Sequence, residues 1–261
     1  MIAILLLLAS THGDLDDQIA EATRRIERSP RDAALRFRRG ELHRFHEDWP
    51  AALADLRRAA ELDPALEVVD LALGKTWMKA GDAAKAREAL DRFLKRQPDH
   101  ADALSERGRA LAALGLRKEA EADFTRAIGL MAEPRPENYL ERARVQPADR
   151  VAAGIEEGLR RLGSVVTLEL AALDFELESR SYDAALARLA RLAEASPRKE
   201  TWLARRGEVL GAAGRPEEAR AAFAGALAAI EALPPGRRGA RAVVELEKRV
   251  REALEVRHEG R

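Results

Sequence analysis

Proline recurs at a fixed interval in this chain. Pro30, Pro64 and Pro98 stand 34 residues apart, and Gly40, Gly74 and Gly108 keep the same spacing. Ala52, Ala86 and Ala120 do likewise, as do Ala59 and Ala127, with the larger Phe93 at the phase between them. A repeat of this length with small residues at constant phase is the mark of stacked helical hairpins, in which no hairpin buries its apolar face alone. It assigns most conspicuous residues a packing role before any chemistry is considered, and it favours one continuous array over separate domains.

Composition agrees. Aromatic residues make up only 4% of the 261 positions while charged residues make up 34%. A chain dominated by Ala, Leu, Arg and Glu suits long helices rather than sheets. Lys plus Arg and Asp plus Glu are both 45, so no strong positive field of the kind nucleic acid requires is built, and no nucleic-acid partner is expected. With no cysteine the chain has no disulfide, thiolate nucleophile or Cys-based zinc site.

The N-terminus carries a second signal. Ile2 to Leu8 is a continuous apolar run followed by small Ala9, Ser10 and Thr11 and then polar His12, Gly13 and Asp14. That order is the order of a secretory leader, although no Lys or Arg precedes the run. It is far shorter than the roughly 20 residues a membrane-spanning helix needs, so no stable membrane span is expected. Residues 1–13 are therefore expected to be a signal peptide and the mature chain periplasmic or secreted. A buried first helix, or a start codon called in the wrong place, is the alternative, and would leave the protein cytoplasmic.

Between Pro30 and Pro64 the periodicity predicts a helix from about Ala33 to His46, with Leu35, Leu42 and Phe45 near helical spacing. Glu47, Asp48 and Trp49 turn the chain, and Pro50 fits the first turn of a second helix ending near Leu62, before Asp63 and Pro64. This hairpin resembles the tetratricopeptide repeat. The family's small eighth residue is matched by Gly40, Gly74, Gly108 and Gly207, and its fifteenth-position glycine by Gly81, Gly115 and Gly214. Ala52, Ala86, Ala120, Ala185 and Ala219 match the twentieth, Leu56, Leu90, Phe124, Leu189 and Phe223 the large twenty-fourth, and Pro30, Pro64, Pro98 and Pro197 the thirty-second. Small residues let the two helices of a hairpin approach closely, and the large residue is expected to fill the space between hairpins.

The resemblance implies an all-α, right-handed solenoid of about six repeats over residues 14–233, with a partial N-terminal one at about Leu15 to Arg28. Three departures stand out. The first repeat is incomplete, the fifth is shortened between Pro136 and Gly163, and the sixth carries Leu173 at the glycine position. The shortening predicts a bend or change of pitch near residues 132–150. Residues 234–261 are expected to be a linker, Pro234 to Gly239, and a capping helix on which Val243, Leu246, Val250 and Leu254 share one face. A coiled-coil partner helix is the lesser alternative, given its two heptads.

The same resemblance implies a concave groove lined by the first helix of each hairpin. It places Phe37, Arg38, Glu41, Arg44 and Phe45 there, then Leu71, Lys75, Met78 and Lys79, then Ser105, Glu106 and Arg109, then Leu140, Glu141 and Arg144. Asp174, Glu178, Arg205 and Glu208 lie further along. Mixed charge over an apolar floor suits an extended peptide or a partner's helix. Several of these charges stand as opposite pairs at i,i+3: Arg38 and Glu41, Glu106 and Arg109, Glu141 and Arg144, Arg205 and Glu208. Such pairs meet on one helix and are expected to satisfy one another. Lys75 and Lys79 lack an obvious partner and are the better candidates for an acidic ligand. One subclass of the family grips a terminal carboxylate with Lys and Asn at fixed positions; this chain's only Asn is Asn138, so that clamp is not expected.

Arg39, Arg107, Arg142 and Arg206 recur immediately before the small eighth residue. Phosphate binding is one reading, but recurrence at one phase favours a structural bond to the neighbouring hairpin, through a carboxylate or a backbone carbonyl. His43 and His46, with Glu47 and Asp48 nearby, are the only ligand-like cluster, and two His favour packing over a metal site. No Gly-rich phosphate loop, zinc-protease motif or nucleophile elbow is present. No catalytic residue, cofactor or metal is expected. The function expected is a noncatalytic interaction module or scaffold that takes a peptide or protein partner in its groove. The alternative is a structural, self-associating subunit of a larger envelope assembly, for which a homo-oligomer is natural; an enzyme comes third.

Overall fold

A computed structural model describes the backbone of residues 2–255 and the side chains of residues 14–255. The expected leader and the last residues, 256–261, lie outside the described side chains. The chain forms two compact units, Met1–Pro147 and Ala148–Arg261. The division falls inside the stretch where the sequence repeat shortens.

Among the described residues all regular structure is helical. The first unit holds α1 (Ile2–Arg28), α2 (Ala33–Phe45), α3 (Trp49–Leu62), α4 (Val68–Lys79), α5 (Ala83–Arg96), α6 (Ala101–Ala113), α7 (Arg117–Leu130) and α8 (Pro136–Val145). The second holds α9 (Ala148–Leu162), α10 (Val166–Glu178), α11 (Tyr182–Ala195), α12 (Lys199–Ala212), α13 (Pro216–Glu231), the one-turn α14 (Pro235–Arg238) and α15 (Arg241–Glu255). Local chemistry sets the ends. Asp32, Asp48 and Asp82 accept the N–H of Leu35, Ala51 and Lys85, and His100 Nδ1 accepts that of Ala103. Each satisfies a donor that the first helical turn leaves free. Between the helices of a hairpin the chain turns through positive φ at Gly81, Gly115 and Gly214, and at Glu47 and Arg180 where the repeat has no glycine.

The eighth-position glycines are required by contact. A Cβ on Gly74 would lie 2.5 Å from Leu90 Cγ, one on Gly40 2.9 Å from Leu56 Cγ, and those on Gly108 and Gly207 2.8 and 2.6 Å from the rings of Phe124 and Phe223. The large twenty-fourth residue therefore packs within its own hairpin, against backbone, as well as between hairpins. Leu56 clusters with Val69, Ala72 and Leu73 of the next pair, and Leu90 with Ala103 and Leu104. The expected filling between hairpins is thus present, and the contact within the hairpin is added to it. In the sixth repeat Leu173 faces this role beside Leu189, both buried, and α10 and α11 approach less closely than the glycine-bearing pairs.

The recurrent arginines also act structurally. Arg39 donates from Nε and Nη2 to Asp55 on its own second helix, at 2.6 and 2.8 Å, and from Nη1 to Thr23 on α1 at 2.9 Å. Arg107 repeats the arrangement on Asp123, at 2.7 and 2.8 Å, and reaches Asp91 of the preceding hairpin at 2.8 Å. The hydrogen bonds to Asp55 and Asp123 hold both guanidinium pKa values above the ordinary range. Arg142 is buried, whereas Arg206 is exposed and departs from the pattern.

The second unit carries a different buried ion cluster. Arg188 on α11, with 4% of its side chain exposed, bonds to Glu169 and Glu176 of α10 and to Glu156 of α9. Burial works against its charge, and the three carboxylates outweigh burial, so its pKa is raised. At the end of this unit Val243, Leu246 and Val250 of α15 are buried against Ala222, Phe223 and Ile230 of α13. The expected capping helix is present, and α14 occupies the segment expected to be only a linker.

Gly74→Ala is expected to cost about 1–3 kcal/mol by overpacking, and Gly74→Ala with Leu90→Ala is expected to cost less than the sum of the two singles in a denaturation cycle. Arg188→Ala is expected to destabilise by about 3–5 kcal/mol, since it leaves buried carboxylates uncompensated. His43, whose pKa is lowered chiefly by burial against the opposing charges of Asp55 and Asp48, sets a pH dependence. Below pH 6.5, its ordinary value, the unfolded chain takes a proton that folded His43 resists. Its contribution is thus complete above that pH and is lost as pH falls through the lower folded pKa. Thermal melts from pH 7 to 5 are expected to fall less steeply in His43→Gln.

Candidate functional site

The first helices of the hairpins in the first unit, α2, α4, α6 and α8, pack consecutively on one another. The residues expected to line a groove lie on them, but the structure divides these by role. Phe37 is half-buried and packs on the cluster of Leu53, Leu56 and Val69, and Leu71 on that of Leu90, Phe93 and Leu104. Both belong more to the core than to an open surface. Phe45 is 65% exposed, with the Arg44 guanidinium 4.7 Å over its ring. Met78 is half-buried and Lys79 exposed.

Two of the expected i,i+3 ion pairs do not form. Glu41 pairs with Arg44 at 2.8 and 2.9 Å, leaving Arg38 exposed without a partner. The hydrogen bonds to Glu41 raise the Arg44 pKa. Glu141 is taken by Arg109 of the neighbouring hairpin, at 2.7 and 3.2 Å, so Arg144 is left exposed. Arg109 also meets Glu106 at 2.8 Å, as expected, and thus ties α6 to α8. Its pKa, pulled down by burial, is raised on balance by Glu141 and Glu106. In the second unit Arg205 and Glu208 pair as expected, at 2.7 Å, while Asp174 and Glu178 are exposed.

Lys75 is half-buried, and neither its ammonium nor that of Lys79 has a hydrogen bond or ion pair among the described residues. Lys75 lines a hollow of about 430 Å³ together with Asp102, Ser105, Glu106, Arg109, Met131 and Glu133, and with Arg135 and Asn138. Glu133 and Arg135 escaped the sequence reading because they sit on the α7–α8 loop, outside the helical positions that periodicity selects. The prolines flanking Arg135, Pro134 and Pro136, were the available signal, since they stiffen that loop. Asn138 Oδ1 accepts the Arg135 N–H at 2.8 Å, so its side chain serves its own helix terminus.

The two histidines do not converge. His43 lies 4.0 Å from Asp48, whereas His46 Nε2 reaches Asp16 at 3.2 Å. Among the described residues no group of three or more His, Asp and Glu could hold a metal ion, and no helix is long and apolar enough to cross a membrane.

The geometry matches known proteins at the level of the fold. A tetratricopeptide repeat model matches residues 71–138, and a tetratricopeptide repeat-like domain model matches residues 136–246. No curated protein matches the sequence. Among solved structures, the chain resembles a tetratricopeptide repeat protein from Parabacteroides merdae, with a TM-score of 0.57 at 18% identity over 93% of this chain and 94% of that one. MamA from Desulfovibrio magneticus gives a TM-score of 0.53 at 14% identity, over 61% of this chain and 93% of that one. Pseudomonas aeruginosa pilF gives 0.51 at 17% identity, over 83% and 97%. The glycine-to-large-residue contact inside four of the hairpins, the recurring turn glycines and the two matching models agree on one family: the chain is a tetratricopeptide repeat protein.

Proposed function

We propose that this chain is a noncatalytic interaction module that takes a segment of a partner protein on the face formed by α2, α4, α6 and α8. One observation carries the reading. On a face where Arg44 and Arg109 are tied to carboxylates, Lys75 and Lys79 are left without partners, and Lys75 is half-withdrawn from water beside a hollow. An ammonium in that position gains from an acidic group that water alone does not supply. Exposed Phe45, stiffened by Arg44, offers an apolar anchor at the edge of the same face. Membership of a repeat family does not itself select a partner.

We also propose that the protein is exported, on the apolar run from Ile2 to Leu8 and the small residues after it. N-terminal sequencing of the protein from its native compartment tests this; an intact Met1 there would sink it.

The partner reading is tested by affinity capture from that compartment with the native chain and with Lys75→Glu/Lys79→Glu. The double variant is expected to fold, since neither lysine makes an ion pair. Its thermal melt beside the native chain's separates lost binding from the repulsion Lys75→Glu adds next to Asp102, Glu106 and Glu133. Its captured partner is expected to bind at least about tenfold more weakly, the scale of one reversed interfacial charge contact. Equal binding by both chains would remove these lysines, and with them this reading.

A further inference from the structure

The unsatisfied charge on this face is not mixed at random. On α2 and α4 the side chains left without partners are Arg38, Lys75 and Lys79, all cationic. The carboxylates of these two helices are already engaged, Glu41 by Arg44 and Asp70 by Arg92 and Arg96. On α6, α8 and the loop between α7 and α8 the balance reverses. Glu106 and Glu141 share the single guanidinium of Arg109, while Asp102, Glu133 and Glu137 have no ion pair. Arg135 and Arg144 offset only part of that acidic excess. The face is therefore positive across α2 and α4 and negative across α6 and α8, and the hollow between Lys75 and Asp102, Glu106 and Glu133 lies on the boundary.

We infer that the partner segment is an extended peptide whose own charges are segregated: an acidic stretch over α2 and α4, and a basic stretch over α6 and α8. This rests on the groove reading above and adds to it the sequence class and register of the ligand. The same field disfavours a uniformly acidic or uniformly basic segment, since either would place like charges against one half of the face. Packed helices lie about 8–10 Å apart, so α4 and α8 are separated by roughly two such steps. At about 3.3 Å per extended residue, the centres of the acidic and basic stretches stand about six residues apart.

The test is selection of a displayed random 12-residue peptide library on the full chain, followed by titration of synthetic peptides against three proteins. These are the native chain, Lys75→Glu/Lys79→Glu and Asp102→Lys/Glu133→Lys. Enriched peptides are expected to carry an acidic and a basic cluster about six residues apart. Each double variant is expected to weaken them at least about tenfold, and to lose less against peptides neutralised at the matching end. A peptide of the same composition with its charges alternating is expected to bind more weakly than the segregated one. Binders that are acidic throughout, sensitive to the lysine variant and indifferent to Asp102→Lys/Glu133→Lys, would overturn the segregation while leaving the groove reading intact. A selection without binders, or binders indifferent to all four substitutions, would overturn both.

Discussion

The fold depends on a close approach between a helix backbone and a large side chain. At Gly40, Gly74, Gly108 and Gly207 the absence of a Cβ lets Leu56, Leu90, Phe124 and Phe223 lie where a methyl group would otherwise sit. Each contact brings two helices together and seats a residue that also reaches the neighbouring hairpin, so packing inside a hairpin and packing between hairpins share one side chain. Interiors packed at crystal-like density tolerate little change at such a point. The sixth repeat shows the dependence from the other side: with Leu173 at the glycine position, α10 and α11 stand further apart.

Ion pairs refine this arrangement without creating it. Arg39 with Asp55, and Arg107 with Asp123, join the two helices of a hairpin by paired hydrogen bonds, and each arginine reaches the preceding helix through Thr23 or Asp91. The hairpin of α4 and α5 carries Leu73 and Ala89 at the equivalent places. Charge and counter-charge are lost there together, as expected when an unpaired buried ion costs more than the pair contributes. In the second unit Arg188 on α11 gathers carboxylates from α9 and α10, where the glycine contact is missing. A fork of fixed N–H donors suits that role better than an ammonium would.

The face proposed for binding carries the charges that remain when these structural demands are met. Glu41 is spent on Arg44, Asp70 on Arg92, and both Glu106 and Glu141 on Arg109. Lys75 and Lys79 have no assignment inside the molecule. Lys75, which lines the hollow together with carboxylates of α6 and the α7–α8 loop, gives this face of an electrically neutral chain a charge gradient.

The repeat, its turn glycines, its capping helix and the identity of the residues on the first helices were all present in the amino-acid order. Each depends on spacing along one helix or on a constant phase between hairpins, and both are linear properties. Which charges would be satisfied was not linear. Arg38 and Arg109 each stand three residues from a glutamate, yet Glu41 turns to Arg44, and Arg109 holds Glu106 and Glu141 at once. Glu133 and Arg135 join the face only in three dimensions, where they line one hollow with residues of α6. The sequence by itself determined the hairpins and which of their faces had to be buried, because packing periodicity is local. Lys75 and Lys79 already stood without a partner in the sequence, but only the tertiary structure decided which of the i,i+3 pairs form, because ion pairs across hairpins depend on distances that no single helix contains.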